Sequence, residues 1–324
     1  MGQSFRQESQ TAHRPRSTQE LLAAGVGRGA LRGPRWRRVA RGFYTPAIDP
    51  PLTPAQRILD AVPLIGAGAL GGWAAGYVHG AQWLDGIDPF NFDTFLLDCL
   101  GLRRASLPTV RFHNSIVPAE DRIGLDGIVV TSALRTAFDG MRWAPSLEEG
   151  VVFADAMAHF AGVGGRELVQ YADDHPAWPG VDQARCAARL MDGGVLSPWE
   201  SRLRCCYLLE AGLPARILLN VPVFAGGREI GWPDIFDPEA ALAVEFDGEH
   251  HRDLEQHHRD NIREEAFEDA NVTVVRADSL DLRSGRQAFI QRVRNGYVRG
   301  LARDRSQDRW TLESPRGWRP HSPR

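Results

Sequence analysis

One charged side chain inside an apolar segment constrains the fold of this chain more than any other feature. Residues 241–247 read Ala-Leu-Ala-Val-Glu-Phe-Asp, and their apolar alternation predicts a buried β-strand. In such a strand Glu245 and Asp247 lie on one face, while Val244 and Phe246 lie on the other. An unpartnered carboxylate inside a core costs several kcal/mol, so we expect a compensating group beside Glu245.

A second carboxylate, Asp234, is separated from this strand by a turn signal at residues 237–239, Asp-Pro-Glu. A hairpin through that turn would place Asp234 beside Glu245. Carboxylates that converge repel each other unless a cation joins them. A hard cation such as Mg²⁺ or Mn²⁺ binds one or two carboxylates together with water and phosphate oxygens. The segment therefore predicts a metal site that could activate water and stabilise charge on a phosphate.

These residues resemble a known group of enzymes. Asp234, Glu245 and the residue two positions after Glu245 resemble the core motif of PD-(D/E)XK nucleases. More narrowly, residues 197–280 resemble the domain of unknown function 559, which is similar to very-short-patch-repair endonucleases. The narrower resemblance is carried by Glu200, Glu245-Phe246-Asp247-Gly248, His251, Arg259-Asp260 and Arg263. It implies a Mg²⁺- or Mn²⁺-dependent endonuclease that hydrolyses DNA phosphodiester bonds in repair or defence.

The resemblance also implies a role for each matching residue. Asp234 and Glu245 would be metal ligands, and Glu200 would orient or ligate the metal from the preceding helix. Arg263, three residues after Asp260 and therefore on the same helix face, would contact the scissile phosphate, with Arg259 as a further phosphate-binding residue.

The basic residues of the chain are 38 arginines, and lysine does not occur. Asp247 stands where the resembled superfamily usually has the lysine that orients and deprotonates the attacking water. His251 is therefore the candidate for proton transfer, because imidazole titrates near neutrality. The absence of lysine also excludes Schiff-base and P-loop chemistry, although arginine binds phosphate well. One alternative function is a DNA-binding regulator or antitoxin with an inactive nuclease-like domain, and another is a protein-interaction scaffold.

The acidic and histidine residues are also compatible with simpler roles. Glu245 and Asp247 could form ion pairs with Arg259 or Arg263 without a metal. The histidine pairs at 250–251 and 257–258 could bind zinc, although adjacent residues seldom point in one direction.

The charge distribution distinguishes one basic segment of the chain from one acidic segment, which suggests two separate tasks. Residues 1–60 contain ten arginines and four acidic residues, a net charge of +6, whereas residues 191–300 contain 13 arginines and 19 acidic residues, a net charge of −6. Residues 17–20, Ser-Thr-Gln-Glu, predict a capped helix, a second short helix follows near 28–32, and residues 36–45 predict a basic hairpin. A helix, a turn, a helix and a hairpin is the layout of a winged helix.

Residues 17–45 resemble the winged helix of AbiEi-type antitoxins. The resemblance implies that the hairpin arginines, Arg35, Arg37, Arg38 and Arg41, contact backbone phosphates, which confers affinity but little sequence reading. Gly33-Pro34 shortens the helix that would read bases, so base-specific contacts are not expected.

The patterns predict an α/β protein in five segments. These are a disordered tail at 1–16, a winged-helix-like domain at 17–50, a mainly helical linking domain at 51–194, a restriction-endonuclease-like domain of order α-β-β-β-α-β-α with a mixed central sheet at 195–301, and a flexible tail at 302–324. Within residues 195–301, Ser197-Pro198 opens a predicted helix, and strands are predicted at 217–224, 229–236 and 241–247. Residues 61–84 carry no formal charge, and their Gly and Ala content favours a tightly packed helix over a membrane span.

The N-terminal residues lack the apolar core of a signal peptide, and the four cysteines form no C-x-x-C pair. We therefore expect a cytoplasmic protein with reduced thiols and no membrane association. The expected partner is DNA, and a homodimer is a candidate assembly.

Overall fold

The computed structural model describes residues 3–101, 109–248 and 254–320. It divides the chain into an N-terminal unit, Met1–Gly193, and a C-terminal unit, Gly194–Arg324. Both units combine helices with sheets, so the α/β class is confirmed. Within the described ranges, no helix has the length and apolar character that crossing a bilayer requires.

The N-terminal unit carries two sheets. Its helices are α1 (Gln3–Thr11), α2 (Thr18–Ala23), α3 (Pro54–Ile65), α4 (Gly72–Val78), α5 (Ala133–Trp143), α6 (Leu147–Ala161), α7 (Gly165–Asp174) and α8 (Val181–Leu190), with 3₁₀ helices at Ala30–Arg32 and Ala119–Asp121. Its strands are β1 (Arg16–Ser17), β2 (Trp36–Ala40), β3 (Phe43–Pro46), β4 (Ala69–Gly71), β5 (Leu97–Leu100), β6 (Val110–His113), β7 (Arg122–Leu125) and β8 (Ile128–Thr131). The strand orders are β1-β3-β2 and β6-β5-β4-β8-β7.

The local signals near the N-terminus are confirmed. The Ser17 hydroxyl accepts a hydrogen bond from the Glu20 backbone N–H, and the Glu20 carboxylate accepts one from the Ser17 N–H, so α2 begins with the predicted capping box. The basic hairpin forms from β2 and β3. The helix expected near 28–32 is only the three-residue 3₁₀ helix Ala30–Arg32, and it ends at Gly33.

The prediction of a disordered tail at 1–16 is wrong for α1. The Phe5 ring is buried and packs edge-on against Tyr77, with the ring centroids 6.4 Å apart. The Tyr77 hydroxyl donates to the Glu8 carboxylate at 2.6 Å. The groups that order this helix lie far along the chain, and its own polar sequence does not reveal them.

The prediction of a mainly helical region at 51–194 is also incomplete, because β4 to β8 form a five-stranded sheet there. The uncharged run at 61–84 is not one helix. It turns at Gly66 (φ +59°) after α3, forms β4, and becomes helical again in α4. A Cβ atom at Gly68 would collide with the backbone of Leu100, so the missing side chain is what allows this close approach to β5.

The C-terminal unit is built on a mixed sheet. Its helices are α9 (Pro198–Cys205), which continues as a π-helical turn at Cys206–Glu210, α10 (Leu254–Asp269), α11 (Ser279–Arg283) and α12 (Arg286–Leu301), with a 3₁₀ helix at Arg305–Gln307. Its strands are β9 (Leu218–Leu219), β10 (Val223–Ala225), β11 (Arg228–Gly231), β12 (Ile235–Asp237), β13 (Leu242–Phe246), β14 (Thr273–Ala277) and β15 (Trp310–Thr311). The central sheet has the order β14-β13-β12-β9, and a smaller sheet has the order β11-β10-β15.

The predicted mixed central sheet is present, but two predicted strands are each divided in two. β13 pairs in parallel with β14, and β12 pairs antiparallel with both β13 and β9. The strand expected at 217–224 breaks at Asn220, whose φ of +49° is left-handed, a conformation that asparagine tolerates. The strand expected at 229–236 breaks before β12, where Pro233 has no N–H to donate to a sheet.

The faces of β13 belong to different hydrophobic clusters. Val244 packs in one cluster with Phe289 of α12, and Ala243 packs in the other with Phe267 of α10. Side chains alternate along a strand, so Glu245 shares the Ala243 face and lies on the α10 side of the sheet.

The prediction of a flexible tail at 302–324 is wrong for much of this segment. β15 pairs antiparallel with β10. The Trp310 ring packs edge-on against Phe236 with centroids 5.0 Å apart, and Trp318 packs edge-on against Phe224 at 5.1 Å. These contacts join residues far apart in sequence, and the sparse local pattern of the tail does not indicate them.

Candidate active site

Glu245 in β13 is buried with only 5% of its surface exposed, and it has a cationic partner. The Arg263 Nη2 atom of α10 lies 2.6 Å from Glu245 Oε2, and the Arg276 Nε atom of β14 lies 3.8 Å from the same oxygen. Ion pairing of Glu245 with Arg263 is therefore confirmed. Glu245 Oε1 is also buried, and it has no hydrogen-bond partner among the described residues.

Asp234 lies next to Glu245, as the hairpin interpretation predicts. The register of β12 and β13 pairs Ile235 with Val244, which places Asp234 opposite Glu245. Asp234 Oδ2 accepts a hydrogen bond of 2.6 Å from the backbone N–H of Phe246. This bond holds the Asp234 carboxylate at the end of β13.

The pKa of Asp234 is raised by its surroundings, which include other carboxylates. Burial raises the pKa of Asp234 to about 7, and the nearby charges of Glu200 and Glu245 add to this effect. The Phe246 N–H and the Arg263 guanidinium oppose it without cancelling it. Like charges shift a pKa in this direction only at short range, so the three carboxylates share one electrostatic environment.

Glu200 is fixed at the start of α9. Its backbone N–H donates to the Ser197 hydroxyl at 3.2 Å, which caps the helix. Its side-chain Oε2 accepts hydrogen bonds from the Leu196 N–H at 2.8 Å and from the Asn220 amide at 2.7 Å. Glu200 therefore has a structural role in helix capping, besides any role in holding a metal.

Asn220 is a site residue that the sequence interpretation missed. Its Nδ2 atom donates to Glu200 and also to the Gly194 carbonyl at 3.0 Å, while its backbone N–H donates to the Asp234 carbonyl at 3.4 Å. It thus connects the Glu200 carboxylate to the chain segment that carries Asp234. An asparagine between two apolar dipeptides is a turn signal that could have identified it.

An aromatic stack joins the segments that carry Glu200 and Glu245. The rings of Trp199 and Phe246 are stacked with centroids 5.0 Å apart and an interplanar angle of 5°. The two aromatic residues are the chain neighbours of the two carboxylates, so the stack holds α9 against the end of β13.

The donor set fits a hard divalent cation. Among the described residues, the hydrogen bonds of the three carboxylates use Oε2 of Glu200, Oδ2 of Asp234 and Oε2 of Glu245, which leaves their second oxygens available. One oxygen from each of the three carboxylates cannot be chosen so that all three oxygens lie within 4.8 Å of one another. The arrangement therefore suits two direct carboxylate ligands completed by water and phosphate oxygens, as Mg²⁺ prefers.

The other residues predicted for this site are less fully placed. Asp247 is half-buried directly after β13, and its N–H donates to the Ala277 carbonyl at 2.7 Å. Arg259 belongs to α10, but its side chain is outside the described part of the structure. His251 lies outside the described residues.

The hairpin arginines of the N-terminal unit separate into two kinds. Arg35, Arg38 and Arg41 are exposed. Arg37 is half-buried, and its Nη2 atom lies 2.6 Å from Asp60 Oδ2 on α3. Arg37 therefore secures the hairpin to a helix, whereas the other three arginines face solvent.

Comparisons of the chain with protein-family models, with curated proteins and with solved structures find no match.

Proposed function

We propose that the C-terminal unit is a divalent-metal-dependent DNA endonuclease that hydrolyses phosphodiester bonds. One observation carries this proposal: the buried Glu245 Oε1 has no hydrogen-bond partner in the described structure, and Glu245 lies opposite Asp234, whose pKa is raised by burial and secondly by neighbouring carboxylates. Such a concentration of partly satisfied oxygen ligands is expensive to maintain, and a bound cation would stabilise it.

Each residue of the site has a part in this function. Asp234 and Glu245 would hold Mg²⁺ or Mn²⁺, and Glu200, oriented by Asn220, would support them from α9. The metal, when bound, lowers the pKa of water and stabilises charge on phosphate. Arg263 would bind the phosphate of the substrate, with Arg259 on the same helix. Asp247 would assist the metal ligands, and His251 is the candidate for proton transfer.

The N-terminal unit supplies DNA affinity in this proposal. The order α1, β1, α2, a 3₁₀ helix, β2 and β3, with β3 central in its sheet, resembles a winged helix. The position of a recognition helix holds only the residues Ala30–Arg32, so contact through the exposed Arg35, Arg38 and Arg41 would be to the phosphate backbone.

A cleavage assay tests the proposal. The full chain is incubated with Mg²⁺ or Mn²⁺ and with double-stranded, single-stranded or mismatched DNA, beside the variants Asp234→Asn and Glu245→Gln. We expect the native chain to cleave DNA and each variant to lose about a hundredfold or more of the rate. Glu268→Gln, which removes an exposed carboxylate on α10, is the matched control and should retain the native rate. If Asp234→Asn cleaves DNA at the native rate, the assignment of Asp234 as a metal ligand is refuted.

A DNA-binding regulator with an inactive nuclease-like domain is the second candidate. It is favoured by the Arg263–Glu245 ion pair, which already neutralises one proposed ligand, and by Asp247 at the position of the usual lysine. In that case the native chain would cleave no DNA in this assay under any metal condition. It would still bind DNA, and a separate binding measurement would show that the binding is sensitive to salt.

A further inference from the structure

Arg263 occupies the same carboxylate that the proposed metal needs. Its Nη2 atom lies 2.6 Å from Glu245 Oε2, and the second oxygen of that carboxylate is buried without a hydrogen bond from the described residues. The cationic partners of Glu245 are thus gathered on one oxygen, and the other remains available as a ligand.

The two members of this ion pair differ in their access to solvent. The Arg263 side chain is 39% exposed, whereas that of Glu245 is 7% exposed. Gly231 of β11 allows the arginine stem to lie close to the strand, because a Cβ atom there would approach Arg263 Cδ to 3.1 Å. Arg263 can therefore exchange Glu245 for a partner that arrives from solvent, while Glu245 cannot move out.

A metal ion and the guanidinium repel each other when both are close to Glu245. Like charges a few ångströms apart repel strongly near a protein surface, and a divalent ion doubles the repulsion. A phosphodiester relieves the repulsion, since its oxygens can accept hydrogen bonds from arginine and also ligate the metal.

We propose that Arg263 is an exchange residue, which neutralises Glu245 in the DNA-free chain and transfers to a backbone phosphate when DNA binds. This inference rests on the proposed function and deepens it, because it makes divalent metal and DNA strengthen each other's binding. The site then holds its metal weakly until a phosphodiester is present.

The test is Mn²⁺ binding to the full chain, measured by electron paramagnetic resonance with and without a short phosphorothioate duplex. We expect DNA to tighten Mn²⁺ binding in the native chain by about fivefold or more, within the usual range of coupling between sites. Arg263→Gln should bind Mn²⁺ more tightly than the native chain when DNA is absent, and DNA should then tighten Mn²⁺ binding by a smaller factor than in the native chain. Arg185→Gln, which removes an arginine ion-paired with Asp173 in the N-terminal unit, should behave as the native chain.

A second measurement does not depend on the folding of the Arg263 variant. Coupling between two binding sites is reciprocal, so Mn²⁺ must tighten duplex binding to the native chain by the same factor, read by fluorescence anisotropy. Equal Mn²⁺ affinity with and without DNA, or unchanged coupling in Arg263→Gln, overturns the exchange role even if DNA is cleaved. Coupling without any cleavage would support the exchange role and reject the nuclease. Absence of Mn²⁺ binding in both conditions rejects both.

Discussion

The Asp234 carboxylate carries a free-energy cost in the folded chain. Its pKa rises from the ordinary 3.8 to about 7, chiefly because it is buried and secondly because Glu200 is negative. A raised carboxyl pKa means that the folded state binds a proton more tightly than the unfolded state does. The stability that this group contributes is therefore present below about pH 4 and is lost as the pH rises through about 7.

Asp234→Asn removes this cost while keeping the shape of the side chain. In urea unfolding with a chelator present, we expect the variant to be more stable than the native chain at about pH 8, by at least roughly 1 kcal/mol, since one unit of pKa shift corresponds to about 1.4 kcal/mol. The difference should shrink as the pH falls towards 4. A variant that is less stable at every pH would contradict the assigned charge environment.

Asp281 is a control for Asp234, because its pKa is shifted in the opposite direction. Burial alone would raise its pKa, but hydrogen bonds from the Arg292 side chain and from the Asp278 backbone outweigh burial and lower it. A lowered carboxyl pKa contributes stability above the unfolded pKa, and this stability is lost as the pH falls through the folded value. Asp281→Asn should therefore be less stable than the native chain at neutral pH, and the deficit should disappear in acid.

At the scale of elements, strand β15 covers part of the core next to the candidate active site. Trp310 packs against Phe236 in β12, the strand that Asp234 precedes. Trp310→Ala should lower the free energy of unfolding by about 2–3 kcal/mol, because it leaves a cavity at a half-buried aromatic contact.

The control for this prediction is Trp310→Phe, measured by circular dichroism in urea. It keeps an aromatic ring against Phe236 and removes the buried Nε1–H, which has no hydrogen-bond partner in the described structure. We expect a loss below about 1 kcal/mol. Equal losses in the two variants would show that ring packing is not what holds β15 in place.

The elements that the sequence predicted are those whose signals are local. The start of α9 at Ser197-Pro198 and the strand β13 depend on capping, alternation and apolar content within a few residues. Helix α1 and strand β15 depend on partners such as Tyr77 and Phe236 that are distant in sequence. The short buried strand β4 has no alternation of its own, because both of its faces are covered.

The candidate site divides in the same way. Asp234 and Glu245 could be paired from the strand pattern and the turn between them, because a hairpin fixes its own register. The contacts of Asn220 with Glu200 and Asp234 could not be predicted, since they depend on a left-handed backbone and on how α9 packs. The sequence pattern leaves two arginines of α10 as candidate partners of Glu245, and the geometry of that helix places Arg263 against it.

At the scale of the whole molecule, one basic segment and one acidic segment of the chain suit different tasks. Residues 1–60 have a net charge of +6 and residues 191–300 a net charge of −6. In the proposed function the N-terminal unit supplies affinity for DNA, and the carboxylates of the C-terminal unit need a cation before they can approach a phosphate. Substitutions in the N-terminal unit should therefore change DNA affinity without changing the Mn²⁺ affinity of the DNA-free chain.

The hairpin arginines allow this separation to be measured. The double variant Arg38→Gln/Arg41→Gln should weaken DNA binding and reduce the slope of log affinity against log salt by roughly 2, because each phosphate contact contributes about 0.9 to that slope. Its Mn²⁺ affinity without DNA should equal that of the native chain.

Arg37→Gln should instead lower the free energy of unfolding by roughly 1–3 kcal/mol, because it leaves Asp60 without its ionic partner. The salt slope of DNA binding should stay at the native value in this variant. A salt slope that falls in Arg37→Gln and not in the double variant would place the phosphate contacts on the opposite side of the hairpin.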